Sequence, residues 1–211
     1  MRIIAGTYRS LTLEAPPGLA TRPTSDRLRE TLFNVLAPRI AGAAFLDLYA
    51  GSGAVGLEAL SRGAESVTFV ERSPVALKVL RGNLERLGIG SGFRVYAGGV
   101  GAFLRSFASR SPTRDGCGVV FLDPPYDLEQ EYQNTLNWLG GPRAGILAEG
   151  AVVVAEHRRK EKLEDRYREL KRIRLLQQGD AALSFYAAEC ECPPPSQGGV
   201  GAGAAADTGR Q

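Results

Sequence analysis

A short apolar segment that ends in an acid and two prolines constrains the fold of this chain more than any other feature. Residues 119–122 are Val-Val-Phe-Leu, a run typical of a strand that is buried on both faces of a parallel sheet. Asp123 follows, and Pro124 and Pro125 then prevent both further strand pairing and a helix. A carboxylate at the tip of a buried strand destabilises the fold unless it has a partner or a function. The segment therefore predicts a parallel α/β sheet with a functional acid at one strand end.

The residue types in Asp123, Pro124, Pro125 and Tyr126 suit group transfer to the exocyclic amine of a planar base. The carboxylate and a proline carbonyl would accept the two N–H groups of the amine, which directs the nitrogen lone pair. The tyrosine ring would stack on the base. The alternative interpretation is an ordinary Asp-Pro turn after a strand, which is a common local structure. The four residues together, at the end of a buried strand, favour the catalytic interpretation.

Two other predicted strands carry an acid near their carboxyl ends. Residues 43–48 contain Asp47, and residues 67–70, Val-Thr-Phe-Val, are followed by Glu71. Three glycines between residues 51 and 56 match the pattern G-x-G-x-x-G, and Glu71 comes about twenty residues after the first of them. This arrangement is typical of a doubly wound sheet that binds a nucleoside cofactor, whose ribose hydroxyls the second acid would hold.

Two cofactors fit this pattern, a nicotinamide dinucleotide and S-adenosylmethionine. Asp47 favours the second, because a carboxylate just before the glycine loop would repel a pyrophosphate but attract an ammonium and a cationic sulfur. No residue set for hydride transfer is visible, whereas Asp123 belongs to an amine-holding segment. We therefore expect S-adenosylmethionine, and a dinucleotide-dependent dehydrogenase is the less favoured alternative.

The order of predicted elements gives the domain organisation. Strands alternate with helices, which predicts one Rossmann-like domain over residues 41–189 with a mostly parallel, seven-stranded sheet. An antiparallel hairpin around Gly179 would close the sheet at its C-terminal end. Residues 1–40 are expected to form a small N-terminal β-hairpin and a helix that extend this domain. Residues 190–211 are rich in Pro, Gly and Ala and predict a disordered tail.

Composition limits the possible partners and compartments. The chain has 26 Lys and Arg residues, of which only four are lysine, and a net charge of +3. Arginine richness suits forked contacts to phosphate, although a GC-rich genome would produce the same bias. Three cysteines and one histidine predict neither a disulfide framework nor a zinc site. With no signal peptide and no apolar run of membrane length, we expect a cytoplasmic protein without metal.

A basic helix start is the candidate site for a nucleic acid. Thr24 or Ser25 can cap a helix from its N-terminal end, and Arg22, Arg27 and Arg29 cluster there. Three cations at a helix start oppose the helix dipole and repel one another. We therefore expect that Arg22, Thr24, Arg27 and Arg29 contact RNA, and the alternative is a solvated helix face.

Taken together, these motifs resemble the RsmD family of bacterial methyltransferases, over residues 2 to about 186. The resemblance rests on segments spread along that whole length. They are RIIAG at 2–6, RPT at 22–24 with Arg27 and RE at 29–30, LFN at 32–34, DLYAGSG at 47–53, EALSRGA at 58–64 and FLDPPY at 121–126.

The resemblance implies a Rossmann-like class I methyltransferase that modifies the N2 amine of a guanine in 16S rRNA, of the type that acts on guanine 966. It implies a substrate presented as an assembling 30S subunit, and we expect the protein to be a monomer. Residues 123–126 would hold the target base. The contacts to S-adenosylmethionine would fall on Asp47, Ala50, Gly51, Ser52, Gly53, Glu71 and Val100.

One departure from the family pattern leaves two alternatives open. Where relatives tend to place Asp or Asn near the adenine, this chain has Gly98-Gly99-Val100, so backbone N–H groups would have to take over that contact. A non-catalytic RNA-binding assembly factor would also tolerate Gly99. A DNA adenine-N6 methyltransferase uses a similar tetrad, but the chain has no inserted segment large enough for a target-recognition domain.

Overall fold

The computed structural model describes residues 1–16, 25–108, 116–125, 129–141 and 145–188. Within these ranges the helices are α1 Asp26–Ile40, α2 Ala54–Ser61, α3 Pro74–Arg86, α4 Val100–Ala108 and α5 Glu129–Leu139. The strands are β1 Ala44–Leu48, β2 Ser66–Glu71, β3 Phe93–Ala97, β4 Cys117–Leu122, β5 Leu147–Arg158, β6 Arg166–Tyr167, β7 Leu170–Gln178 and β8 Ala181–Ala188. Nothing described bears on the predicted tail, because residues 190–211 lie outside these ranges.

The strands form a single sheet in the order β3-β2-β1-β4-β5-β8-β7-β6. The first five strands in this order run parallel, and β8, β7 and β6 continue the sheet in antiparallel fashion. The predicted α/β class, the mostly parallel sheet and the antiparallel C-terminal hairpin at Gly179 are confirmed. The predicted number of seven strands is wrong, because the short β6 pairs with β7 and adds an eighth.

Two hydrophobic layers cover the two faces of the sheet. On one face, α1, α2 and α3 pack against alternate residues of the central strands, among them Phe45, Phe69 and Phe121. On the other face, α4 and α5 pack against the intervening residues, such as Leu46 and Leu122. Because β1 and β4 are buried on both faces, their central residues are apolar in unbroken runs, and an acid, Asp47 or Asp123, appears near or just after the carboxyl end. In β2 the half-buried Thr68 interrupts the apolar run before Glu71.

Helix α1 begins at a capped N-terminus and continues further than a proline would suggest. The Ser25 hydroxyl accepts a hydrogen bond from the Leu28 N–H at 3.2 Å, as the sequence predicted for a cap at 24 or 25. Pro38 lies inside the helix, which extends to Ile40. The apolar side chains of this helix join the first hydrophobic layer, so α1 shares its core with the sheet.

The N-terminal segment folds back on itself and is fastened to α2. Its predicted hairpin contains one antiparallel bridge, between Arg2 and Thr12. The Glu58 carboxylate, which is fully buried, accepts hydrogen bonds from the N–H groups of Ile4 at 2.7 Å and Ala5 at 3.0 Å. These bonds place Met1 in the wall of the cavity at the carboxyl edge of the sheet.

The Arg29 side chain is also part of this buried attachment. Its guanidinium is fully buried and donates to Asp26 Oδ1 at 2.9 Å and to the Arg2 carbonyl. The Nε of Arg29 lies 3.8 Å from Glu58 Oε2. Burial lowers the pKa of this arginine, and the charges of Asp26 and Glu58 oppose that shift. The prediction that Arg29 contacts RNA from an exposed face is therefore wrong, because its charge is used inside the protein.

Topology brings the three sequence-predicted acids together. Strand β1 lies between β2 and β4, and all three run parallel, so their carboxyl ends meet at one edge of the sheet. The described residues contain no helix long and apolar enough to cross a membrane. They also contain no group of three or more His, Cys, Asp or Glu side chains that could hold a metal ion.

Candidate active site

A cavity of about 450 Å³ lies at the carboxyl edge of the sheet. Nine of the residues predicted for the donor and the target base line it. They are Asp47, Ala50, Gly51, Ser52, Glu71, Val100, Asp123, Pro124 and Pro125. The structure thus brings the glycine loop, the second acid and the proline segment into one space, although they are far apart in the chain.

The glycine loop between β1 and α2 is shaped by its backbone conformation and by close packing. Gly53 has a φ of 80°, a left-handed conformation that side chains disfavour, and it forms the N-cap of α2. A Cβ on Gly56 would come within 2.3 Å of the Phe69 ring, so glycine lets α2 lie against the sheet. Gly53 is not among the residues that line the cavity, and its role in this structure is to form the turn.

Glu71 organises the loop from the end of β2. Its Oε2 accepts a hydrogen bond from the Gly51 N–H at 2.8 Å. Its Oε1 accepts bonds from the N–H groups of Arg72 at 2.8 Å and Ser73 at 2.7 Å. The carboxylate is therefore held by three backbone donors and still faces the cavity. The sequence predicted its position in the cavity but not its attachment to the glycine loop.

Asp47 is almost fully buried beneath the same loop, and its Oδ2 accepts a hydrogen bond from the Gly56 N–H at 2.9 Å. Burial raises the pKa of this carboxyl to about 7, the Gly56 bond opposes the rise, and the charge of Glu71 adds to it. A cation bound in the cavity would favour the ionised form of Asp47. The cavity thus provides negative charge of the kind that suits a cationic ligand.

Asp123 follows β4 on the other side of β1 and lines the cavity with Pro124 and Pro125. Burial raises its pKa well above the usual range, and the negative charges of Glu156, Asp47 and Glu161 raise it further. A carboxyl with high proton affinity is suited to take a proton from an amine that is becoming positively charged.

The sequence analysis did not identify three further polar residues at the site. The Tyr49 hydroxyl donates to Glu131 Oε2 at 2.7 Å, and both side chains line the cavity. The amide of Asn83, which is buried, donates to the Ser52 carbonyl at 3.0 Å and so supports the glycine loop. Tyr49 sits inside the DLYAGSG motif, and Glu131 is an acid in the first turns of the helix after the proline segment. The position of Tyr49 in this motif and the position of Glu131 after the proline segment could therefore have indicated both residues from the sequence.

Of the residues predicted to contact RNA or the target base, three lie outside the described part of the chain and one is exposed on α1. Arg22, Thr24 and Tyr126 lie outside the described residues. Arg27 is exposed near the start of α1, next to the buried Arg29. The start of this helix is close to the cavity wall, because Met1 lines the cavity and its sulfur lies 3.8 Å from Nη1 of Arg29.

Comparison with known proteins gives the family. A family model described as conserved hypothetical protein 95 matches residues 1–187. The chain belongs to this family, the RsmD family. A curated relative, ribosomal RNA small subunit methyltransferase D of Escherichia coli strain K12, is 41% identical over 156 residues, which are 74% of each chain. This RsmD-family protein is an S-adenosylmethionine-dependent methyltransferase, as the acids and the glycine loop predicted.

Two solved structures show the same architecture. The structure of yhhF from Escherichia coli has a TM-score of 0.75 at 35% identity and covers 90% of this chain and 98% of that chain. SMU.776, which was crystallised with SAH, has a TM-score of 0.59 at 13% identity and covers 75% of this chain and 48% of that chain. This second likeness shows the fold.

Proposed function

We propose that this RsmD-family protein methylates the exocyclic N2 amine of a guanine in small-subunit (16S) rRNA, the guanine corresponding to G966. The observation that carries the proposal is the meeting of Asp123, Pro124 and Pro125 with the glycine loop and Glu71 in one cavity. The name of the Escherichia coli relative, ribosomal RNA small subunit methyltransferase D, supports rRNA as the substrate.

The residues of the cavity fit S-adenosylmethionine. Asp47 and Glu71 supply negative charge for the ammonium and ribose hydroxyls, and the loop at Ala50, Gly51 and Ser52 allows close approach of the ligand. The space around Gly99 is open, since no atom lies within 4 Å of a Cβ built there. The adenine would therefore meet the backbone at residues 98–100. When bound, the cofactor supplies an electrophilic methyl group on a cationic sulfur.

On the acceptor side, the chain's residues would orient the amine and receive its proton. The Asp123 carboxylate accepts one N–H of the guanine amine, and the Pro124 carbonyl accepts the other. The nitrogen lone pair then points at the methyl group, and Asp123 or water takes the proton that the nitrogen loses. Tyr126 stacks on the base, which has to leave the helical stack to enter the cavity. The protein acts as a monomer in the cytoplasm on an assembling 30S subunit.

The test of this function is product identification. Small subunits from a strain lacking the enzyme are incubated with the pure protein and labelled S-adenosylmethionine, and the digested rRNA is analysed by mass spectrometry. We expect N2-methylguanosine at one position. A parallel reaction with unmethylated duplex DNA tests the first alternative, which label in N6-methyladenine would support. RNA binding without transfer to either substrate would support the second alternative, a non-catalytic assembly factor.

Glu71→Ala should weaken donor binding more than chemistry. The substitution removes a carboxylate that fits the ribose hydroxyls and also releases three backbone donors that shape the loop. Charge-assisted hydrogen bonds contribute roughly 1.5–3 kcal/mol each, so the Kd for S-adenosylmethionine should rise at least about tenfold in calorimetry. Glu85→Ala removes an exposed carboxylate from α3 and is the matched control. An unchanged Kd in Glu71→Ala would remove Glu71 from the donor site.

Arg27→Gln should weaken RNA binding without affecting the fold. Of the arginines predicted to contact RNA, Arg27 is the one that the structure shows as exposed. Removing one phosphate contact should reduce the slope of log affinity against log salt by roughly 0.7 for single-stranded RNA. Arg81→Gln, an exposed arginine on α3, serves as the control and should leave the slope unchanged. If the two variants give equal slopes, Arg27 belongs to a solvated helix face.

A further inference from the structure

Glu131 lies on α5, the helix after the proline segment, and its Oε2 lies 2.7 Å from the hydroxyl of Tyr49 in the loop after β1. Glu131 lies in the first turns of α5 and lines the same cavity as Asp123, Pro124 and Pro125. In the proposed function, Asp123 holds the acceptor amine. The Glu131 carboxylate lines the same cavity and has no role in that function so far. Its position beside the base-binding residues points to a contact with the base.

The Tyr49 hydroxyl, which is itself bonded to Thr135, fixes the orientation of the Glu131 carboxylate. Tyr49, in the loop after β1, lies with its oxygen 2.7 Å from Glu131 Oε2 and 2.9 Å from Thr135 Oγ1. A carboxylate can only accept, so the single Tyr49 proton is donated to Glu131 and the Thr135 hydroxyl donates to Tyr49. Thr135 is buried, and Tyr49 has a φ of 63°, an uncommon conformation for a residue with a side chain. Burial raises the pKa of Tyr49, so it remains a donor at neutral pH.

The hydrogen-bonding edge of guanine matches two carboxylates. On its Watson–Crick edge, guanine presents two adjacent donors, the N1–H and the N2 amine. Adenine presents one amine donor beside an unprotonated N1, which is an acceptor. A second carboxylate would gain a charge-assisted bond from guanine N1–H and would be repelled by the lone pair of an unprotonated N1.

We propose that Glu131 is a specificity-determining residue whose carboxylate accepts the N1–H of the target guanine, held in place by Tyr49, while Asp123 holds the N2 amine. This inference rests on the proposed function. It predicts that the enzyme requires an N1–H as well as an N2 amine on its substrate. Tyr49 acts through Glu131 and is a positioning residue.

The experiment uses 2-aminopurine, which carries the same amine as guanine but has no hydrogen on N1. The rRNA fragment that contains the mapped target is prepared with guanine or with 2-aminopurine at that position and is assembled into small-subunit particles. The ratio of kcat/KM for the two substrates is measured for the wild type and for Glu131→Gln. The side-chain amide that this substitution introduces can donate to N1, so the preference for guanine should fall at least about tenfold.

Two further variants make the result specific. Glu85→Gln makes the same charge change on an exposed surface and should leave the preference unchanged. Tyr49→Phe removes the bond that orients Glu131 and should lower the preference by a smaller factor without changing the charge. It also provides a second measurement if Glu131→Gln does not fold.

Each outcome decides the inference. If Glu131→Gln leaves the preference for guanine unchanged, the inference is overturned. If the same variant also binds S-adenosylmethionine more weakly, Glu131 belongs to the donor site instead. The failure of the proposed function looks different, because no variant, including the wild type, would then produce N2-methylguanosine in the particles.

Discussion

Replacing Asp123 with alanine should lower the turnover of methyl transfer at least about a hundredfold, while the Kd for S-adenosylmethionine stays within a few-fold of its normal value. The reason is that Asp123 lies on the acceptor side of the cavity, where its interaction with the amine strengthens as the transition state forms. Single-turnover measurements with small-subunit particles separate the chemical step from binding.

Asp123→Asn is the matched control for this result. The amide keeps one acceptor oxygen at the end of β4 but has low proton affinity, so turnover should lie between that of the wild type and that of Asp123→Ala. A role in catalysis would be ruled out if Asp123→Ala retained more than about a tenth of the normal turnover.

The second large effect concerns stability. Glu58→Ala should lower the free energy of unfolding by roughly 3–5 kcal/mol, since it leaves the buried guanidinium of Arg29 without one of its two carboxylates. It also removes the acceptor of the Ile4 and Ala5 N–H groups and of Arg62 Nε, which lies 2.7 Å away. For a chain of this size the Tm should fall by about 10 °C in calorimetry.

A double-mutant cycle tests whether the charge pair is the cause. If it is, Arg29→Met in the Glu58→Leu background should cost less than Arg29→Met alone, because the double variant leaves no unpaired charge in the core. Glu65→Ala removes an exposed carboxylate just beyond α2 and should leave the Tm unchanged. Additive effects of the two core substitutions would show that packing, and not the pairing of charges, holds the N-terminal segment.

The fold and the donor half of the site could be predicted from the sequence because their signals are local. A strand buried on both faces has to be apolar throughout, so an acid at its end is conspicuous at positions such as Asp47 and Asp123. The glycine loop is recognisable for a similar reason, since its turn and its close packing exclude most other residues at Gly53 and Gly56. The short β6 gave no such signal, because two residues are too few to show a strand period.

Arg29 shows where the sequence was misread although it carried a signal. The residue lies one turn before Phe33 and two turns before Leu36, both of which are buried, so helical periodicity places it on the inner face of α1. The charge of Arg29 favoured a location in solvent or against RNA, whereas the helical periodicity of α1 indicated a location in the core. The partner that makes its burial tolerable, Glu58, is on another helix, and only the packing of α1 against α2 brings the two together.

The parallel order of the central strands, the edge at which the acids collect and the family could all be predicted from the sequence. Which side chains meet across that edge became visible in the three-dimensional structure alone. Tyr49 and Glu131 are 82 residues apart in the chain, and the hydrogen bond from Gly51 to Glu71 links the loop after β1 to the end of β2. Such contacts depend on how the helices pack on the sheet, and that packing is set by the fit of many side chains at once, which no local pattern records.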